Sequence, residues 1–552
     1  MSTPTEPAAD VQSTVGVGPG TLSQAAAAIT AGRTSLGIEL GSTRIKICLI
    51  GDDAAVLAVG SHEWENAFVD RVWTYSLDDA WSGIRAAYAD LVSDAEARYG
   101  VRPDGFGAVG VSAMMHGYLA FDHAGEQLVP FRTWRNTTTG VAAAELTELF
   151  GLNIPLRWSI AHLHQAVIDD EPHVADLDFV TTLAGYVHWR LTGRKVLGVG
   201  DASGMFPIDA ATKTYEAALL EKYEARVPAL DLAALLPEVL VAGQNAGVLT
   251  AEGAALLDPT GTLRAGAVLA PPEGDAGTGM VATNSVAPRT GNVSAGTSIF
   301  AMVVLERPLT SVHHELDLVT TPAGDPVAMV HCNNGASELA AWAGLFGSFA
   351  AAAGSPLDSD AVFDVLFRAA LDGEADAGGL LAYNHLAGEP IAGLDEGRPL
   401  VVRTPDSRLT LPNFMRAQLY GVFGTLALGM RVLEGERVGL DQMFAHGGMF
   451  RTAGVAQRFL AGALDAPVAV AHTASEGGAW GMAVLAAFAA SESSETLDAY
   501  LRDRVFAGAV FETVAPDATD VAGFATYLDD YRAGLAVERA AVAALTPTGT
   551  TK

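Results

Sequence analysis

One aspartate and two small-residue turns are the parts of this chain best suited to chemistry. Asp275 lies in Pro271-Pro-Glu-Gly-Asp-Ala-Gly-Thr-Gly-Met280, directly after the apolar run Ala267–Ala270. An Asp in such a turn commonly caps a helix. The same place suits a proton acceptor, because a helix N-terminus favours the ionised carboxylate and leaves it a lone pair. Gly41-Ser42-Thr43 sits between two apolar runs, and Gly296-Thr297-Ser298 repeats the arrangement in the second half. Such turns leave backbone N–H groups to face an anion, hydroxyls add donors, and Lys46 stands within reach of a bound phosphate. Neither is a Walker A loop, because no Gly-Lys-Ser/Thr opens a helix. A single turn of this kind ordinarily just joins two strands. The matched pair, one in each half, carries the signal.

Three further segments have the composition of ligand contacts. Ser112-Ala-Met-Met-His-Gly117 ends a strand-like run, so Met115 and His116 fall at the C-terminal edge of a sheet, where α/β proteins bind ligands. Phe131-Arg-Thr-Trp-Arg-Asn-Thr-Thr-Thr139 places Trp134 and Asn136 ahead of a helix. An aromatic face beside polar groups suits a hydroxyl-rich ligand, and a helix cap at Asn136 or Thr137 is the alternative. Gly447-Gly448 follows the strand-like Gln442–Ala445, and Ala474-Ser-Glu-Gly-Gly-Ala-Trp-Gly-Met482, which contains Glu476, comes further along. Small residues let two backbones approach closely, so a flat adenine ring fits such a gap, as does plain helix packing.

To position these residues the chain needs sheets, and their pattern is present. Ser35–Ile50 reads as strand, tight turn and strand, followed by a helix over 77–99, a strand over 107–112 and a helix over 138–150. That alternation predicts an α/β sheet with helices on its faces. Arg289–Val304 repeats the strand–turn–strand unit, which suggests a duplicated architecture. Leu419, Val422, Phe423, Leu426, Met430 and Leu433 then fall at helical spacing, as do Val455, Phe459, Leu460 and Ala463. The boundary is placed at 288, giving domains 35–288 and 289–545. Residues 1–34, rich in Ala, Thr, Pro and Gly, read as a disordered leader.

Composition excludes several classes. A chain of 552 residues is too long for one core. Its net charge of -31 repels a phosphate backbone, so nucleic acid is not expected as a partner. No run of about twenty apolar residues would span a membrane, and no basic segment followed by an apolar one marks a signal peptide. Cys48 and Cys332 fit buried thiols, and the cytoplasm is the expected compartment.

These pieces, in this order, resemble the FGGY carbohydrate kinase family, the xylulokinases in particular, from Ser35 to about Ala490. Glu39–Lys46 is similar to the family's first phosphate motif and Ala295–Ser298 to its second. Ser112–Gly117 is similar to the sugar-contacting Ser-Gly-Gln-Met-His-Gly segment, and Gly274-Asp275 to the Gly-Asp that holds the catalytic base. Asp201-Ala-Ser-Gly204 and Gly388-Glu389-Pro390 match further landmarks, and Gly447-Gly448 with Glu476–Gly481 matches the adenosine region.

The resemblance implies an α/β fold of two actin-like domains of the ribonuclease-H type, with the active site in the cleft between them. It implies ATP and Mg²⁺ as cofactors and a small sugar as substrate. Asp275 would be the base and Glu39 the metal-side carboxylate. Gly41, Ser42, Thr43, Lys46, Gly296 and Thr297 would meet the phosphates, with Gly447, Gly448 and Glu476 at the adenosine. Met115, His116, Trp134 and Asn136 would hold the sugar. The expected activity is phosphorylation of a ketopentose, D-xylulose first, with L-ribulose or another ketose or polyol as alternatives. A different class is an actin-like ATP-binding protein that couples nucleotide state to a partner. No membrane or nucleic acid enters either reading, and a homodimer is an allowed assembly.

Four positions depart from the family pattern. Glu39 stands for the usual Asp, and its extra methylene moves the charge by about one bond length. Asn136 stands for an Asp, which removes a strong acceptor for a sugar hydroxyl. Met114 replaces a Gln, and Ile160–Pro172 lacks a lysine-containing signature. These mark a divergent subfamily.

Overall fold

The fold was obtained as a computed structural model, which describes residues 19–471, 477–491 and 493–545. In the first half, α1 (Pro19–Thr30) precedes β1 (Ser35–Leu40), β2 (Arg44–Ile50) and β3 (Val56–Glu63). Helix α2 (Leu77–Tyr99) crosses to β4 (Ala108–Ala113). After a stretch of short helices, short strands and loops come β5 (Val268–Leu269), β6 (Glu273–Gly274) and α3 (Asp275–Ala282). The strand order is β3-β2-β1-β4-β5, with β6 also on β4. Pairings to either side of β2 are antiparallel, and those of β4 are parallel.

The second half contains β7 (Thr290–Ala295), β8 (Ile299–Val304), β9 (Asp317–Thr320) and β10 (Pro326–Cys332). Then follow α4 (Leu411–Gly435), β11 (Gln442–His446), β12 (Val468–Ala471), α5 (Gly477–Ala490), β13 (Phe511–Val514) and α6 (Ala518–Ala544). Its order is β9-β10-β8-β7-β11-β12-β13. Around β7 the pairings run antiparallel to β8 and on to β10, and parallel to β11 and on to β12. The same sequence of pairings surrounds β1. Two sheets of one topology in one chain are the duplicated, actin-like α/β architecture.

Local chemistry explains the elements. In β1, every position except Glu39 is buried, as befits a central strand covered on both faces. At Gly37 a Cβ would collide with the Ala479 carbonyl of α5, so that helix rests on the strand's backbone. Helix α2 starts where Ser76 accepts from the Asp78 and Asp79 amides, and it stops at Gly100 in the left-handed region. Helix α4 starts with Thr410 accepting from the Asn413 amide and with Pro412 in its first turn.

The leader reading is corrected for residues 19–34. They form α1 and the entry to β1, with Ile29 and Thr34 buried; residues 1–18 lie outside the described residues. The division at 288 falls between the two sheets, but α5, from the second segment, packs on β1 and β4 of the first. The halves also meet through β9 and the turn after it. The Thr320 amide donates to Ser203 Oγ at 3.1 Å, and the Ala242 amide to the Pro322 carbonyl at 2.8 Å. Arg157 pairs with Asp317 across the same junction. Cys48 and Cys332 are both buried, as expected. No helix among the described residues is long and apolar enough to cross a membrane.

Candidate functional site

Register places residues far apart in sequence on one edge of the first sheet. Leu40 lies opposite Ala113, and Ala113 opposite Gly274, in parallel strands. The chain therefore leaves β1 at Gly41, β4 at Met114 and β6 at Asp275 along one C-terminal edge, the place where ligands meet an α/β sheet. Asp275 is the first residue of α3, and Gly274 occupies the cap position. The helix-cap alternative for Asp275 does not hold. Its Oδ1 instead accepts from the Met115 amide at 3.0 Å.

Asp275 is open to water on one side and crowded by protein on the others. That crowding raises its pKa, while hydrogen bonds from backbone amides, Met115 first, pull it back. Behind it lie two buried acids. Asp201 accepts from Thr182 Oγ1 at 2.6 Å, and burial pushes its carboxyl up to about 7. Its other oxygen has no hydrogen-bond partner. Glu273 accepts from the Asp201 amide at 3.0 Å, and burial raises its pKa strongly. Sequence reasoning noted Asp201 only as a landmark and passed over Glu273. The spacing Glu273-Gly-Asp275, with both carboxyls at one strand end, was the available signal.

His116 turns the chain sharply out of β4, with φ of 72° followed by 100° at Gly117. Its imidazole is buried, and burial, then the Arg157 charge, holds its pKa well below the usual value. Nδ1 lies 3.4 Å from the Gly204 carbonyl, which can only accept, so Nε2 remains an acceptor for a ligand hydroxyl. Trp134 is exposed, and the Arg135 guanidinium lies 6.0 Å from its ring and 4.0 Å from that of Trp73. Asn136 is placed differently from the expectation. Its Oδ1 accepts from the Trp73 amide at 2.9 Å, and its Nδ2 donates to the Trp73 and Thr133 carbonyls at 2.8 and 3.1 Å. Buried and so engaged, it braces Trp73.

Glu39 sits two residues before Gly41 with its carboxylate 3.9 Å from Lys46 Nζ, beside the start of α5. Ser42 and Thr43 are exposed at the turn. On the second sheet, Gly296 and Thr297 are likewise exposed, and their carbonyls accept from Ala336 and Gly335 amides, each at 2.8 Å. Gly447 lies against Ala295 with φ of 114°, where a Cβ would strike the Ala295 carbonyl. Gly448 begins a short 3₁₀ turn beside it. The structure thus gathers Gly41, Ser42, Thr43, Met115, His116 and Asp275 on one sheet edge, and Gly296, Thr297, Gly447 and Gly448 on the other. Glu476 lies outside the described residues. A cavity of about 410 Å³ lies elsewhere, between α4, α6 and the helix Val455–Leu464, and includes none of these residues.

Two family models match the chain. The N-terminal domain of the FGGY family of carbohydrate kinases matches residues 34–262, and its C-terminal domain matches residues 291–490. A xylulose kinase of Escherichia coli (strain K12) is 25% identical over 308 residues, 50% of this chain and 56% of that relative's length. The chain thus spans little more than half of that relative. The solved xylulose kinase of Rhodospirillum rubrum superposes with a TM-score of 0.74 at 22% identity, covering 92% of this chain and 99% of that one. The gluconate kinase of Lactobacillus acidophilus superposes equally, TM-score 0.74 at 16% identity, with the same coverage of 92% and 99%.

Proposed function

The chain belongs to the FGGY family of carbohydrate kinases, and on that premise we propose that it transfers the γ-phosphoryl group of ATP to a hydroxyl of a small sugar, with Asp275 as the base. The placement of Asp275 carries the reading: its carboxylate opens on the sheet edge that also holds the Gly41–Thr43 turn and the Met115–His116 segment. The sugar oxygen loses its proton to Asp275 as it bonds to the γ-phosphorus. The bond from that phosphorus to the bridging oxygen breaks, and ADP leaves. A raised carboxyl pKa makes Asp275 a stronger base than a free aspartate.

N–H groups of the two turns, with Thr43, Thr297 and Lys46, would stabilise charge on the phosphoryl oxygens. Gly447 and Gly448 would adjoin the adenosine, with Glu476. Met115, His116 and Trp134 would orient the sugar. When bound with ATP, Mg²⁺ would supply neutralisation of the phosphate charge. Glu39 would hold the ion or its water shell. Among the described residues no group of three or more His, Cys, Asp and Glu side chains could hold a metal ion, and a metal ligated mainly by phosphate and water needs none.

D-Xylulose is the first substrate of this proposal, because the E. coli and R. rubrum relatives are xylulose kinases. The fold alone does not choose, since a gluconate kinase shares it. L-Ribulose, other ketoses, polyols and aldonates complete the panel. The test is ADP release across that panel, with Asp275→Asn as control. Turnover of the variant should fall about a thousandfold; near-normal release with the true substrate means another group is the base.

A further inference from the structure

The turn after β1 has a polarity that its own sequence does not impose. The Gly41 carbonyl accepts from Trp64 Nε1 at 2.7 Å, and the Ser42 carbonyl from the Tyr75 hydroxyl at 2.6 Å. The Thr43 carbonyl accepts from the Trp64 amide at 3.2 Å. In a planar trans peptide the N–H points opposite to the C=O. With the carbonyls of Gly41 and Ser42 directed at Trp64 and Tyr75, the N–H groups of Ser42 and Thr43 must point the other way, to the exposed side of the turn.

The two donors come from a stiff support. Trp64 and Tyr75 are almost fully buried, and their rings stack with centroids 4.3 Å apart. Burial raises the Tyr75 pKa, so the hydroxyl keeps its proton and donates. Between them runs a hairpin, Ala67–Val69 paired with Val72–Thr74, whose Trp73 is the residue that Asn136 grips. The segment thus spans from the sugar-side residues to the turn.

We propose that Tyr75 and Trp64 are positioning residues that set the peptide planes of the Gly41–Thr43 turn, aiming its N–H groups at the phosphates of the nucleotide. The proposal rests on the kinase reading above and adds to it the residues that orient its first phosphate site.

Tyr75→Phe keeps the ring and its stack and removes one donor. Trp64→Phe removes the other side-chain donor and retains an aromatic ring. In each, kcat should fall about tenfold through lost orientation, with the sugar KM and the melting temperature close to wild type. Calorimetric titration supplies a readout independent of turnover. Affinity for Mg²⁺ with the non-hydrolysable analogue AMP-PNP should drop about tenfold, while affinity for adenosine stays unchanged, because only the analogue carries phosphates. Unchanged analogue affinity in both variants overturns the proposal, as does an equal loss for adenosine. A Tyr75→Phe protein that no longer folds also counts against it, by assigning the hydroxyl to global stability. Wild-type protein without sugar-dependent turnover sinks the kinase reading, and the two titrations still decide the brace.

Discussion

The turn after β1 and the turn after β7 direct their carbonyls inward by different means. In the first half the donors are the side chains of Trp64 and Tyr75 together with one amide; in the second they are the backbone amides of Gly335 and Ala336. A side-chain donor can be exchanged by substitution, whereas an amide donor stays with every residue but proline. The first turn can therefore be tuned, and the second can be altered only by moving backbone. Charge divides the halves as well. The first edge carries Asp275 with Asp201 and Glu273 behind it, and the second offers Gly296, Gly447 and Gly448. Under the proposed reaction, both edges hold the anion, and the first alone also handles the proton.

Of the changes that separate the two turns, breaking the backbone-built one should have the largest effect. In Gly335→Ala the new Cβ would stand 2.5 Å from the Gly296 carbonyl oxygen and 2.6 Å from the Ser298 carbonyl carbon. No rotamer relieves a clash with backbone, so the turn must move, and turnover should fall about a hundredfold with adenosine affinity kept. Near-normal kcat would show that the second turn is as adaptable as the first. A middle effect is expected where Asn136 holds the Trp64–Tyr75 segment. Asn136→Asp restores the family's usual residue but loses the donors to the Trp73 and Thr133 carbonyls. Denaturant unfolding should show a loss of about 1–3 kcal/mol; unchanged stability would detach Asn136 from the brace.

A further effect concerns pH. The folded-state pKa of Asp201 is about 7 against an ordinary 3.8, so the folded protein binds that proton more tightly than the unfolded chain. Stability from this group is full below the ordinary value and declines as pH rises through about 7. Asp201→Asn should flatten that slope between about pH 4 and 7, read as melting temperature against pH. A slope that survives the substitution would transfer it to Glu273.

Much of the fold was legible because its signals are local. The strand–turn–strand units and the helix over 77–99 follow from apolar runs broken by small-residue turns and from the alternation of strand and helix patterns. Helix α1 was hidden by composition: its run of alanines reads as low complexity, and the burial of Ile29, with Ala25 packed against the same core, gives it a face to pack. The role of Asn136 depends on a partner 63 positions away, which local pattern does not reveal. The position of Asp275 at the sheet edge was readable from the preceding apolar run. Its release from capping was not, because Gly274 supplies the cap residue without a side chain.

Helix α5 links the sheets in a way that bears on how the protein is made. Its backbone fills the groove over Gly37 on β1, yet it follows that strand by more than four hundred residues. During synthesis the first sheet therefore emerges with one face bare until the chain has been made past residue 477. Such late, non-local closure is slow and leaves apolar surface uncovered meanwhile. A nascent chain paused near residue 288 would present that face to chaperones, and the same fragment expressed alone would tend to aggregate.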